Sequence, residues 1–108
     1  MNQKHTLVLG ASTNPERYSF RAANQLMNHH HPVTLVGVKN GEVNNIPILH
    51  SIPTDLKVDT VTMYLSAKNQ VGYYDAIIKL KPSRIIFNPG AENPELEKLA
   101  NENGKVGE

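Results

Sequence analysis

Residues suited to holding an anion gather in one stretch, Thr6 to Phe20, which reads T-L-V-L-G-A-S-T-N-P-E-R-Y-S-F. Leu7-Val8-Leu9 is a short apolar run that ends at Gly10, and small and polar residues lead from it into a segment with helical spacing. A buried strand that turns on a glycine into a helix presents backbone N–H groups to a phosphate at the positive end of the helix dipole. Ser12, Arg17 and Ser19 are placed to add two hydroxyls and a guanidinium to those donors. The chemistry predicted is phosphate binding.

Other reactive side chains form no such constellation. Cysteine is absent, which excludes disulfides, thiolate metal sites and cysteine nucleophiles. His29-His30-His31 are consecutive, and consecutive residues of a helix point in different directions, whereas metal ligands favour i, i+4 spacing. These histidines read as a polar helix end facing its own dipole. His5 and His50 have no recognisable partners, and Asp55, Asp59 and Asp75 are too scattered to make an acid–base pair. Tyr64, Tyr73 and Tyr74 read as packing residues. The expectation is a binding protein and not an enzyme.

The elements that must position the loop follow from periodicity and punctuation. Lys4 to Leu9 is apolar on both faces, as suits a central strand of a parallel sheet. Phe20, Ala23 and Met27, with Ala22 and Leu26, give the apolar stripe of a helix from about Ser19 to about His30, capped by Asn14 or by Ser19. Pro32 closes it, and Val33 to Val38 forms the next strand, with a turn at Asn40-Gly41. Ile46 to Leu49 contains Pro47 and reads as an edge strand, and Ile52 to Lys57 as a turn.

Val58 to Leu65 alternates and is rich in β-branched residues, predicting a strand. Ser66 is placed to cap a helix whose stripe is Val71, Tyr74 and Ile78, with Ile77 alongside, and Pro82 ends that helix. Arg84 to Phe87 is a strand, and Asn93-Pro94 starts a last helix, Pro94 to Asn103, stopped by Gly104. The order β-α-β-β-β-α-β-α predicts an α/β fold: an open, mostly parallel sheet with helices on both faces. Lys105-Val106 reads as the opening of a further strand, so the final strand of such a sheet is expected to be missing from residues 1–108.

With 108 residues the chain is expected to form one domain, and its 39% hydrophobic and 19% charged residues are ordinary for a globular protein. Eleven basic residues against ten acidic ones argue against a surface that coats nucleic acid. No apolar run approaches the roughly 20 residues needed to cross a bilayer. Met1 to His5 lack the apolar core of a signal peptide, which makes the cytoplasm the expected compartment.

The identity of the phosphate ligand turns on two departures from the G-x-G-x-x-G dinucleotide loop. Gly10 fills its first place, but Ser12 and Pro15 stand in the second and third, implying a wider loop. At the end of the second strand, where NAD requires an acid for its ribose hydroxyls, the chain has Gly37-Val38-Lys39-Asn40. A cation there suits a ribose that carries a phosphate, as in NADP or coenzyme A. Charge-assisted contacts from Lys39 and Arg17 would be worth roughly 1.5–3 kcal/mol each. The residues by themselves leave both nucleotides open.

Four ordered motifs then resemble the small CoA-binding proteins: G-A-S-T-N-P-E-R-Y-S-F, V-G-V-K, V-D-T-V-T-M-Y-L-S and F-N-P-G-A-E-N-P-E-L. Those proteins look like the N-terminal domain of the succinyl-CoA synthetase α subunit standing alone, and the resemblance runs from about Leu7 to Gly104. It implies a Rossmann-like domain with coenzyme A, or an acyl-CoA, across the C-terminal ends of the strands. Gly10, Ala11 and Ser12 would line the phosphates, with Arg17 and Ser19 reaching them. Val38 and Lys39 would hold the adenosine end, Leu65 and Ser66 the middle of the ligand, and Pro89 and Gly90 the pantetheine side. The ligase's phosphorylated histidine lies outside this domain, so its activity is not implied. A carrier or a metabolite sensor is the expectation, with a NADP- or NAD-binding enzyme or redox sensor as the alternative and a vestigial interaction module as the third.

Overall fold

The structure, a computed structural model, describes residues 5–53 and 55–102. A six-stranded sheet runs in the order β3-β4-β2-β1-β5-β6. Its strands are β1 (Thr6–Leu9), β2 (Val33–Val36), β3 (Glu42–Val43), β4 (Ile46–Leu49), β5 (Thr60–Met63) and β6 (Arg84–Phe87). All neighbours pair in parallel except β3, which runs antiparallel to β4. The helices are α1 (Tyr18–Asn28), α2 (Ala67–Gln70), α3 (Tyr74–Leu80) and α4 (Pro94–Glu102). This is the open, mostly parallel, Rossmann-like α/β fold that the alternation of elements predicts.

Central strands are apolar on both sides because each side has its own core. Val8, Leu35 and Ile48 pack with Ala23 of α1 on one face of the sheet. Leu7, Leu9, Val61, Met63 and Ile85 pack on the other with Ile77 of α3 and Leu96 and Ala100 of α4. Burying these side chains supplies the main driving force, at roughly 25 cal/mol per Å² of apolar surface.

Several boundaries differ from the sequence reading, each for a local reason. Strand β3 has no counterpart in it: two residues are too few to show a period, and the turn that makes the hairpin is Asn44-Asn45, with φ of 49° and 72°. Strand β4 is therefore not the edge. Pro47 stands near the start of β4, before its parallel pairing with β2 at Ile48 and Leu49, where a missing donor costs the sheet little.

The helix expected after Ser66 is broken by a 3-10 turn at Val71–Tyr73, which shifts the phase of its stripe and leaves Val71 exposed while Ile77 is fully buried. Ser66 holds the N-cap position, but its hydroxyl caps nothing. Helix α1 starts at Tyr18 behind an extended Arg17, so neither Asn14 nor Ser19 is its cap. It ends at Asn28, and His29 to His31 form the turn that closes it. The His30 amide donates to Met27 O (2.9 Å) and that of His31 to Leu26 O (2.9 Å), a Schellman pair with His30 left-handed at φ 62°.

At α4 the expectation holds, since Asn93 Oδ1 accepts from the Leu96 amide at 3.1 Å. His5 and His50 do have partners, Thr34 Oγ1 and Asn40 Oδ1, each at 2.7 Å. The further strand expected from Lys105-Val106 lies outside the described residues. No helix among the described residues is long and apolar enough to cross a membrane.

Candidate functional site

Strand β1 is flanked by β2 and β5, and the chain leaves it towards β2 before crossing back to β5. Such a switch point opens a crevice outside the carboxyl ends of the strands, because the loops on either side diverge. A cavity of about 490 Å³ lies there, lined by Gly10, Ala11, Ser12, Asn14, Arg17, Tyr18, Ser19, Val38, Lys39, Tyr64, Leu65, Ser66, Asn69 and Pro89.

Ten of the eleven residues singled out in the sequence meet in this cavity. The exception is Gly90. It is exposed at φ 91° in the loop after β6, and its amide is engaged by Glu92 Oε1 at 3.0 Å. Asn14, Tyr18, Tyr64 and Asn69 line the cavity without having been singled out, because nothing in their local pattern distinguishes a lining residue from a loop or packing residue. Tyr64 serves both purposes: it packs on the α1 core and borders the cavity. It also borders a second cavity, of about 370 Å³, where His29, His31 and Arg84 lie.

The floor of the cavity is main chain. Gly10 has φ 99°, and a Cβ on it would come within 3.1 Å of the Leu65 amide nitrogen, so only glycine lets the β1 loop meet the β5 loop so closely. A Cβ on Gly37 would stand 2.5 Å from Ala11 O, which holds the β2 end against the same turn.

The donors are not distributed as the glycine turn predicts. The amides of Gly10 and Ala11 both donate to Val36 O, at 2.8 and 2.9 Å, and so do not face the cavity as free donors. Asn14 organises the widened loop around Pro15: its amide donates to Ser12 Oγ (3.0 Å), and its Oδ1 accepts from the Glu16 amide (3.0 Å). Open donors occur one step later. The first helical amides, those of Tyr18, Ser19 and Phe20, have no intrahelical acceptor, and no side chain caps them. Tyr18 and Ser19 line the cavity, so the α1 N-terminus and its dipole open onto it.

Arg17 and Lys39 add positive charge on this side, and among the described residues no aspartate or glutamate lines the cavity. Tyr18 and Val38, each 75% exposed, put apolar surface at its mouth, and Arg21 Cζ lies 5.9 Å from the centre of the Tyr18 ring. The opposite wall, Leu65, Ser66, Asn69 and Pro89, is uncharged. The cavity is thus cationic at one end and neutral at the other.

A family model described as the CoA binding domain matches residues 4–106, and the chain belongs to that family. Its fold is similar to the crystal structure of an uncharacterized protein with which it shares 45% identity. That likeness covers 99% of this chain and 88% of the other, with a TM-score of 0.93. It is also similar to a hypothetical protein from Pyrococcus horikoshii OT3, at 27% identity over 97% of this chain and 75% of that one, with a TM-score of 0.86. A Thermus thermophilus protein, 22% identical over 97% of this chain and 81% of its own, shares the fold with a TM-score of 0.84. No curated protein matches the sequence significantly.

Proposed function

We propose that this chain binds coenzyme A or an acyl-CoA, without catalysing a reaction on it, as a cytoplasmic carrier or sensor. One observation carries the reading: the uncapped N-terminus of α1, Arg17 and Lys39 converge on a cavity that, among the described residues, no carboxylate lines. That arrangement favours a ligand with phosphates at more than one place. It disfavours NAD, whose ribose hydroxyls call for an acidic acceptor. Family membership points the same way.

The phosphate loop of this reading differs from the one drawn from sequence. Its donors are the α1 amides and the two cations, with Gly10 and Ala11 serving as a close-packed floor. Lys39 takes the 3′-phosphate on the adenosine side, and Leu65, Ser66 and Pro89 border the pantetheine.

Calorimetric titration tests the reading. Coenzyme A is expected to bind roughly tenfold or more tightly than dephospho-CoA, the contribution of one charge-assisted contact. Equal affinities would remove Lys39 as the phosphate reader. Tighter binding of NADP than of coenzyme A would establish the dinucleotide alternative, which the same cationic end also supports.

A further inference from the structure

Two interior amides, Gln70 and Asn93, lie beneath the neutral wall of the cavity. Gln70 is fully buried and Asn93 is 5% exposed. Gln70 Nε2 donates to Leu65 O at 2.7 Å and to Ala91 O at 2.8 Å, and its Oε1 accepts from Asn93 Nδ2 at 2.8 Å. The other Asn93 N–H reaches Tyr74 Oη at 2.8 Å, and that hydroxyl donates to Glu95 Oε1 at 3.0 Å. An amide side chain has two N–H donors, so both donors of each residue are used. Only the NH₂ end of Gln70 is able to face two carbonyls, which fixes the ring of bonds in one direction.

The groups that this network joins belong to the two loops of the neutral wall. Leu65 leaves β5 and lines the cavity with Ser66. Ala91 follows Pro89, which lines it from the β6 side. Without Gln70, the buried Ala91 carbonyl and the partly buried Leu65 carbonyl would lose this donor, and relaxation towards water would pull the loops apart. Asn88 adds a second tie at the strand ends, donating from Nδ2 to Met63 O and to Thr62 Oγ1 at 2.8 Å each. It leaves the outer part of the wall to Gln70. Among the described residues the cations that line the cavity, Arg17 and Lys39, stand on the opposite side, so this wall faces the uncharged part of any nucleotide held at α1.

We propose that Gln70 is a positioning residue that sets the gap between the β5 and β6 loops and thereby the grip on the neutral arm of the ligand, pantetheine with its thiol or acyl end. The nucleotide phosphates are anchored independently of it. This inference rests on the CoA reading above and names which residue governs half of the site.

The test compares two ligands on one variant. Gln70→Met keeps the volume and removes every hydrogen bond. Coenzyme A and adenosine 3′,5′-bisphosphate, which lacks the pantetheine arm, are titrated calorimetrically into both proteins at a temperature where circular dichroism shows each folded. Coenzyme A is expected to weaken roughly tenfold or more, with the bisphosphate held within about twofold. Unchanged coenzyme A affinity, or equal weakening of both ligands, would overturn the proposal. Asn93→Asp keeps the acceptor for the Leu96 amide and removes the donor to Gln70, so the same split is expected of it, including if Gln70→Met does not fold. A wild-type protein that binds neither ligand refutes the CoA reading itself, an outcome distinct from a wild type that binds coenzyme A and a variant that binds it as well.

Discussion

Single residues decide how close the loops of the cavity come, and glycines differ in what they permit. Gly37 is required by a contact: a methyl group there would lie 2.5 Å from Ala11 O and 3.2 Å from Ile48 Cγ2. Gly72, in the 3-10 turn, has nothing within 4 Å of where a Cβ would lie. Gly37→Ala is therefore expected to destabilise the protein by about 1–3 kcal/mol and to weaken ligand binding by moving Ala11. Gly72→Ala is expected to be close to neutral, and urea unfolding of the two variants checks the contrast. That Arg17, Lys39 and Ser12 come to one cavity was legible in the sequence, because strand–turn–helix spacing suffices to place them there. It does not carry the engagement of the Gly10 and Ala11 amides by Val36 O, which depends on a strand more than twenty residues away.

At the level of elements, the strand–turn–helix alternation and the Asn93 cap were legible, because they are local in sequence. What was not legible depended on partners. The two-residue β3 exists through its antiparallel pairing with β4, and its turn is tied to α1 where Asn44 Nδ2 donates to Asn24 Oδ1. The exposure of Val71 follows from the 3-10 break, which a periodic stripe gives no sign of.

One element end carries avoidable strain. His30 occupies the left-handed position of the Schellman pair at φ 62°, where glycine has no Cβ to clash. His30→Gly is expected to raise stability by about 0.5–1 kcal/mol, part of the relief being offset by the freer unfolded chain. A thermal melt should show the midpoint rising by a few degrees. A fall would mean that the His30 side chain contributes packing or charge that outweighs its backbone strain.

For the whole molecule, a pH response is built into the foot of the sheet, at His5. His5 bonds through its ring to Thr34 Oγ1 beside β2, and its carbonyl accepts from the amides of Asp59 and Thr60 at β5, at 2.9 and 3.2 Å. Burial disfavours its charged form and holds its pKa below the ordinary 6.5. The unfolded chain thus takes up a proton at a higher pH than the folded one. The stability this group contributes is complete above about pH 6.5 and declines as the pH falls from there through the folded value. Melting temperatures measured from pH 7.5 to 5 are expected to fall more steeply for the wild type than for His5→Gln, and parallel curves would assign the acid sensitivity elsewhere.

The main-chain floor of the cavity also has a bearing on how such a protein changes over generations. Gly10 and Gly37 hold backbone against backbone, so almost any substitution there disturbs three loops together. Tyr18, Val38 and Lys39 stand at the mouth, exposed, where replacements disturb little packing. Tolerance of new side chains is thereby concentrated at the rim, where a substitution alters what the cavity meets while the base beneath it stays packed.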